Sequence, residues 1–227
     1  MTKGTYILAF IMLFSNLISY SQVNARINSM TTKTSLYVDN PYEEVEGNPY
    51  VKEEFMEGVI VFKDSSEISE VFLRYNHNTD QIEFKEGDEI RGFSKPGDLE
   101  LASFGNRSFI YNRYYIGKKI QSGYFEVLAS GYCKLLFRRE SIIKREQLSP
   151  SETSGGNYRD YFRTTEEYYL LLGAEPAKKV IKSKKSVLKA LAEEESNLKK
   201  YITNEGLKVK NDEDLIKLIN YYNDLKE

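Results

Sequence analysis

The sequence predicts an α+β protein, an antiparallel β-meander sheet or partly closed barrel followed by a small C-terminal three-helix appendage. Three observations predict it. Between Gly58 and Glu140 short strand candidates follow one another about every ten residues, with turn-forming residues between them. No stretch alternates strands with crossover helices, and short connections favour antiparallel neighbours, because a parallel pair needs a crossover of a dozen or more residues. From Ser183 onward the apolar spacing changes from two residues to three and four, the helical repeat.

A short apolar stretch precedes the sheet. Lys3 supplies a positive charge, Tyr6–Phe14 (YILAFIMLF) an apolar run, and Ser19-Tyr20-Ser21 a small-x-small step. These are the three parts of a cleavable secretory signal peptide over residues 1–21. Ser15, Asn16 and Ser19 interrupt the run before it reaches the roughly 20 apolar residues that a membrane-spanning helix needs. The only cysteine, Cys133, is far from the cleavage step, which argues against a lipid-anchored start. The expectation is an exported chain, periplasmic or secreted, that works from Gln22 with no membrane span after cleavage. One cysteine forms no intramolecular disulfide, so stability in an oxidising compartment has to come from packing. Cys133, within the alternating YCKLLF, reads as a small buried hydrophobe.

Residues 22–57 are polar and punctuated by Asn28, Asn40, Pro41, Asn48 and Pro49. They read as a loosely held N-terminal arm in which TSLYVD, residues 34–39, is the one strand-like stretch. The β-rich domain, 58–182, follows with GVIVFK, ISEVFLRY, QIEFKE, EIRGF, ELASF, RSFIYNRYYI, GYFEVLAS and YCKLLFRR as strands. GVIVFK is apolar from Val59 to Phe62 and reads as a central strand or one covered on both sides. QIEFKE puts Ile82 and Phe84 on one face and Glu83 and Lys85 on a wet one. KREQLSPSETSGGNYRD, residues 144–160, has no apolar periodicity and reads as a flexible loop. EEYYLLL and AKKVI then make a hairpin about Gly173–Pro176.

In the helical segment, 183–227, Ser183 or Ser186 caps a first helix carrying Val187, Leu188 and Leu191. Glu193–Glu195 open a second, where acidic groups complement the helix dipole; it carries Leu198, Tyr201 and Ile202 and stops at Gly206. Asn211 opens a third, with Leu215, Leu218, Ile219 and Tyr222 on one stripe. Helices this short bury their stripes only against each other and the sheet.

The runs GVIVFKDSSEISEVFLRYNHNTDQIEFKEG, GYFEVLASGYCKLLFRR and NDEDLIKLINYYN resemble a group of exported, functionally uncharacterised proteins common in Bacteroidota. The likeness covers most of the chain after residue 21. Its motifs combine turn residues with sheet and helix patterns, so it implies an envelope or secreted location and carries over no catalytic or binding residues.

Charge points to no partner. The chain has 32 basic and 34 acidic side chains, too even a balance to draw in nucleic acid or an anionic membrane. The basic run Lys178, Lys179, Lys182, Lys184 and Lys185 is followed by Glu193–Glu195 and reads as a solvated face rather than a phosphate track. His77, the only histidine, lies in YNHNTDQ and reads as a solvated turn residue. With one histidine, neither a Ser-His-Asp or Cys-His mechanism nor a zinc site has much to draw on. Asn76, Asn78 and Asp80 echo the first ligands of a calcium loop, but Gln81 and Gly87 stand where a glycine and a bidentate glutamate are needed, so no metal is expected. Gly-rich phosphate loops, G-x-S-x-G and H-E-x-x-H are absent from the sequence, and no cofactor or catalytic residue is assigned.

The tyrosines offer more. There are 18 with no tryptophan, and Tyr111, Tyr114, Tyr115 and Tyr124 concentrate near one hairpin. Their rings can stack on a sugar or anchor a protein contact, although aromatic side chains also simply favour strands. The residues therefore favour a non-enzymatic exported envelope or secreted protein that binds a protein or glycan partner. Two other readings stand beside it: a structural accessory factor of an outer-membrane assembly, and a hydrolase using paired carboxylates, for which acidic residues are abundant but none is singled out.

Overall fold

The computed structural model describes residues 31–35, 42–87, 89–148 and 158–227. The expected signal peptide and the part of TSLYVD beyond Ser35 lie outside them. The α+β architecture is present as one large mixed sheet, not closed, followed by three helices. The strands are β1 (Thr31–Ser35), β2 (Val45–Glu46), β3 (Met56–Phe62), β4 (Glu67–Asn76), β5 (Gln81–Glu86) and β6 (Glu89–Phe93). They continue as β7 (Leu99–Phe104), β8 (Arg107–Ile116), β9 (Lys119–Ala129), β10 (Cys133–Gln147), β11 (Tyr158–Leu172) and β12 (Lys178–Val180). Their order is β1-β6-β5-β4-β3-β7-β8-β9-β10-β11-β12, with β2 beside β11 in parallel.

A strict meander would pair β6 with β7. Instead β7 takes the edge of β3 opposite β4, which makes β3 an interior strand, as its apolar run predicts. The link from Phe93 to Leu99 is short and contains a 3-10 turn at Pro96–Asp98. Strands so far apart in the order meet across so short a link only if the sheet curls. The first curl encloses Phe62, Leu73, Ile82, Phe84, Phe104 and Phe109, with Phe104 and Phe109 stacked at 4.9 Å.

A second curl forms at the other end of the sheet. Tyr115 N–H donates to Ala177 O at 3.1 Å and Ala177 N–H donates to Arg113 O at 2.8 Å, so the chain entering β12 bridges back to β8. Strands β8–β12 thereby wrap Tyr114, Phe125, Leu136, Tyr169 and Leu171. The hairpin of β11 and β12 is the expected one, with Tyr168 opposite Val180 and Leu170 opposite Lys178.

The opposite face of β10 and β11 carries α1 (Lys184–Ala190), α2 (Glu195–Asn204) and α3 (Asp212–Asp224). Ser183 rather than Ser186 caps α1, its hydroxyl accepting Ser186 N–H, and Asn211 Oδ1 accepts Asp214 N–H at the start of α3. Val187, Leu198, Leu215, Leu218 and Ile219 are wholly buried against Cys133, Leu135 and Leu170. Each such side chain contributes about 1.5–3 kcal/mol by leaving water, which is what holds helices too short to be stable alone. Asn223 supplies the polar clamp: its side chain accepts Cys133 N–H at 2.8 Å and donates to Ser130 O and Cys133 O.

Two segment expectations need correction. The two ends of the expected flexible loop at 144–160 are strand, since β10 runs to Gln147 and β11 starts at Tyr158, paired residue for residue down to Gln147 opposite Tyr158. Cross-strand charge pairs replace apolar periodicity here, Arg145 with Asp160 and Arg159 with Glu146, and such pairs hold a ribbon together without an apolar face. The rest of that loop lies outside the described residues. The arm at 22–57 is also partly built into the body: β2 pairs with β11, Tyr50 is buried, and β3 already begins at Met56. Ring contacts secure it, Tyr42 on Phe162 at 5.2 Å and the Arg74 guanidinium 3.9 Å over Tyr50.

Candidate functional site

Polar side chains gather where the two curls meet. Asp80, at positive φ in the turn after β4, aims its carboxylate inward. It accepts from Arg138 Nη1, from the Tyr75 hydroxyl at 2.7 Å and from Tyr124 N–H at 3.3 Å. Arg138 also donates to Tyr124 O and lies 5.0 Å over the Tyr114 ring. Burial works against its charge, but Asp80 together with Tyr75 and Tyr114 outweighs it, so its pKa rises. Gly123 makes room: a Cβ there would stand 2.3 Å from Arg138 Nη1 and 2.6 Å from Asp80 Oδ2.

The neighbouring turn atoms are equally committed. Asn76 Oδ1 accepts Asn78 N–H and Thr79 N–H, and Asn78 Nδ2 donates to Ser141 O. These atoms therefore hold the turn and tie it to β10. Glu83 corrects the expectation of a wet face on β5, for it is buried and held by Arg74 Nε at 2.7 Å and Asn76 Nδ2 at 2.9 Å. His77 is a further correction: it is buried, not solvated, because its backbone bridges Pro49 O and Ser141 N–H and draws the ring in. Burial, followed by the charge of Arg139, lowers its pKa to about 4, so the ring is neutral at pH 7.

The four candidate tyrosines go to three places. Tyr114 lies in the core of the second curl and Tyr124 in that of the first. Both are buried, so neither is a contact residue, which corrects the sequence reading. Tyr111 is half-buried with its ring 5.0 Å from Tyr124. Only Tyr115 reaches an open site. Adjacent strand residues point to opposite faces, so Tyr114 and Tyr115 could not have acted as a pair.

That site is a cleft of about 610 Å3 at the mouth of the second curl, between Tyr115 and Ile116 on one side and Glu140, Glu167, Tyr169, Lys178 and Lys179 on the other. Barrel mouths are common places for ligand clefts. Glu167 accepts from the Tyr169 hydroxyl at 2.6 Å and from Lys179. Although burial alone would raise the Glu167 carboxyl, these donors hold it below its ordinary range. A glycosidase acid needs the reverse shift, so this carboxylate does not serve as proton donor at neutral pH. The side chains of Glu140 and Lys178 are exposed at the rim. Cys133 is wholly buried, and burial pushes its thiol up to about 12. Among the described residues no group of three or more His, Cys, Asp or Glu side chains converges as a metal site, and no helix is long and apolar enough to cross a membrane.

With this geometry in view, comparison adds no relative. No protein-family model, curated protein or solved structure matches the chain.

A second feature escaped the sequence reading. Strand β9 pairs with β10 only from Leu135 to Phe137, so the β10–β11 hairpin continues past β9 as an arm that β2 flanks along its β11 edge. Ile142, Ile143 and Tyr158 on it are 45%, 45% and 57% exposed. SIIKREQ and YRDYF carry no apolar alternation, and the cross-strand charge pairs that join them are not a local pattern.

Proposed function

We propose that the protein is an exported, non-enzymatic binding protein of the envelope or the secreted fraction, and that the β10–β11 arm is its contact surface for another protein. The observation that carries this reading is the placement of Ile142, Ile143 and Tyr158 about half exposed on a paired, salt-bridged ribbon that extends past β9. Large side chains held rigid and open to water cost little entropy to bind and gain apolar burial when a partner covers them. The signal-like start at residues 1–21 supports export.

A glycan reading is favoured separately by the cleft, which Tyr115 lines together with Glu140 and Lys178. Aromatic faces beside hydrogen-bonding groups suit sugars.

The test places a photo-crosslinking residue at Ile142, Tyr158 or, as a control, Glu205 in the producing cells, and follows the fractionation of the adducts. The expected result is one defined protein adduct from the two arm positions in the envelope or medium, and none from Glu205. Absence of arm adducts removes the arm reading. Glycan-array signal lost in Tyr115→Ala and Glu140→Gln would move the contact to the cleft.

A further inference from the structure

Among the described residues, one edge of the arm is unpaired beyond Phe137. Ser141 N–H donates to His77 O at 2.9 Å, and Ser141 O accepts Asn78 Nδ2 at 2.8 Å. Both groups therefore point away from β11. Backbone direction repeats every second residue along a strand, so the N–H and C=O of Ile143 and Arg145 point the same way. Among the described residues no strand pairs with β10 beyond Phe137 on this side. A row of outward amides and carbonyls is thus flanked by Ile142 on one face and Ile143 on the other.

Charge narrows what fits. Arg145 is neutralised by two bonds to Asp160, and Arg159 by Glu46 and Glu146. Lys144 and Arg163, exposed on the face of Ile142, have no acidic partner among the described residues. The edge therefore offers main-chain hydrogen bonds, apolar contact on both faces and two uncompensated cations on one.

We propose that an extended acidic segment of a partner polypeptide adds as a strand along Ile143–Arg145, with the turn at His77–Asn78 as its end stop. Main-chain bonds would give affinity, while side chains alternating between apolar and acidic would give selectivity. This rests on the arm being the contact surface. The lysine and arginines have a competing role, because charged side chains also guard edges against unwanted pairing. The test separates the two.

Random peptides displayed on phage are selected on the full chain, and enriched sequences are remade and measured by fluorescence anisotropy. The expected sequences alternate β-branched or aromatic residues with Asp or Glu. Ile143→Pro removes only an outward N–H, a change edge strands tolerate, and is expected to weaken binding about tenfold or more, while Ile143→Thr keeps the amide and stays within about threefold. Lys144→Glu with Arg163→Glu should also weaken binding and flatten its salt dependence. If Ile143→Pro alters the fold by circular dichroism, peptides N-methylated at alternate amides perform the same comparison on the unaltered protein, with one alternation abolishing binding and the other sparing it. No enriched peptide, or equal binding to Ile143→Pro and Ile143→Thr together with indifference to N-methylation, overturns strand addition. If arm crosslinks still form in cells under that outcome, the arm remains a contact surface and only the strand mode fails.

Discussion

Arg138 Nη1 stands 3.0 Å from both carboxylate oxygens of Asp80, across 58 residues of chain, and so ties β10 to the turn between β4 and β5. The two curls of the sheet share this one ion pair. Removing a single partner leaves the other charge buried, at a cost of about 3–5 kcal/mol. Asp80→Ala should therefore lower the urea midpoint sharply, whereas exposed Asp64→Ala should shift it little. Equal effects of the two would show that the pair is not the joint.

Gly123 is the second part of that joint. Its Cβ-free face admits Arg138 and Asp80 at distances that no alanine permits. Gly123→Ala is expected to cost about 1–3 kcal/mol, the usual range for overpacking. Because it acts through the same ion pair, the loss in Gly123→Ala combined with Asp80→Ala should be smaller than the sum of the two separate losses. Full additivity in equilibrium unfolding would contradict this.

His77 makes stability depend on pH. Its folded pKa of about 4 lies below the ordinary value of 6.5. The unfolded chain therefore binds more protons than the folded one in that interval. The contribution of neutral His77 is fully present above pH 6.5 and is lost as the pH falls toward 4, by about 3 kcal/mol in all. Wild type should lose more stability than His77→Gln between pH 7 and pH 5 in urea titrations. Parallel curves would reject a buried, neutral ring.

Asn223 clamps the helices to the turn before β10 through three hydrogen bonds. Asn223→Ala leaves Cys133 N–H without that partner and should cost about 1–3 kcal/mol. Faster amide exchange is expected in α3 and at Cys133, with β3 and β4 unaffected. Uniform acceleration over the whole chain would mean that the clamp is not local.

The sequence alone determined the elements wherever periodicity was strong. QIEFKE, EIRGF and RSFIYNRYYI are strands at the expected residues, Ser183 and Asn211 cap the helices, and the stripe from Leu215 to Tyr222 faces the sheet, because alternation and capping are local properties of neighbouring residues. What only the tertiary structure decided is how distant residues meet. Tyr114 went to a core and Tyr115 to a cleft, His77 and Glu83 were drawn inside, and both ends of the stretch read as a loop became paired strand. Each of those outcomes depends on partners tens of residues away, such as Asp80 for Arg138 and Asp160 for Arg145, and no local pattern encodes which of many charges will pair.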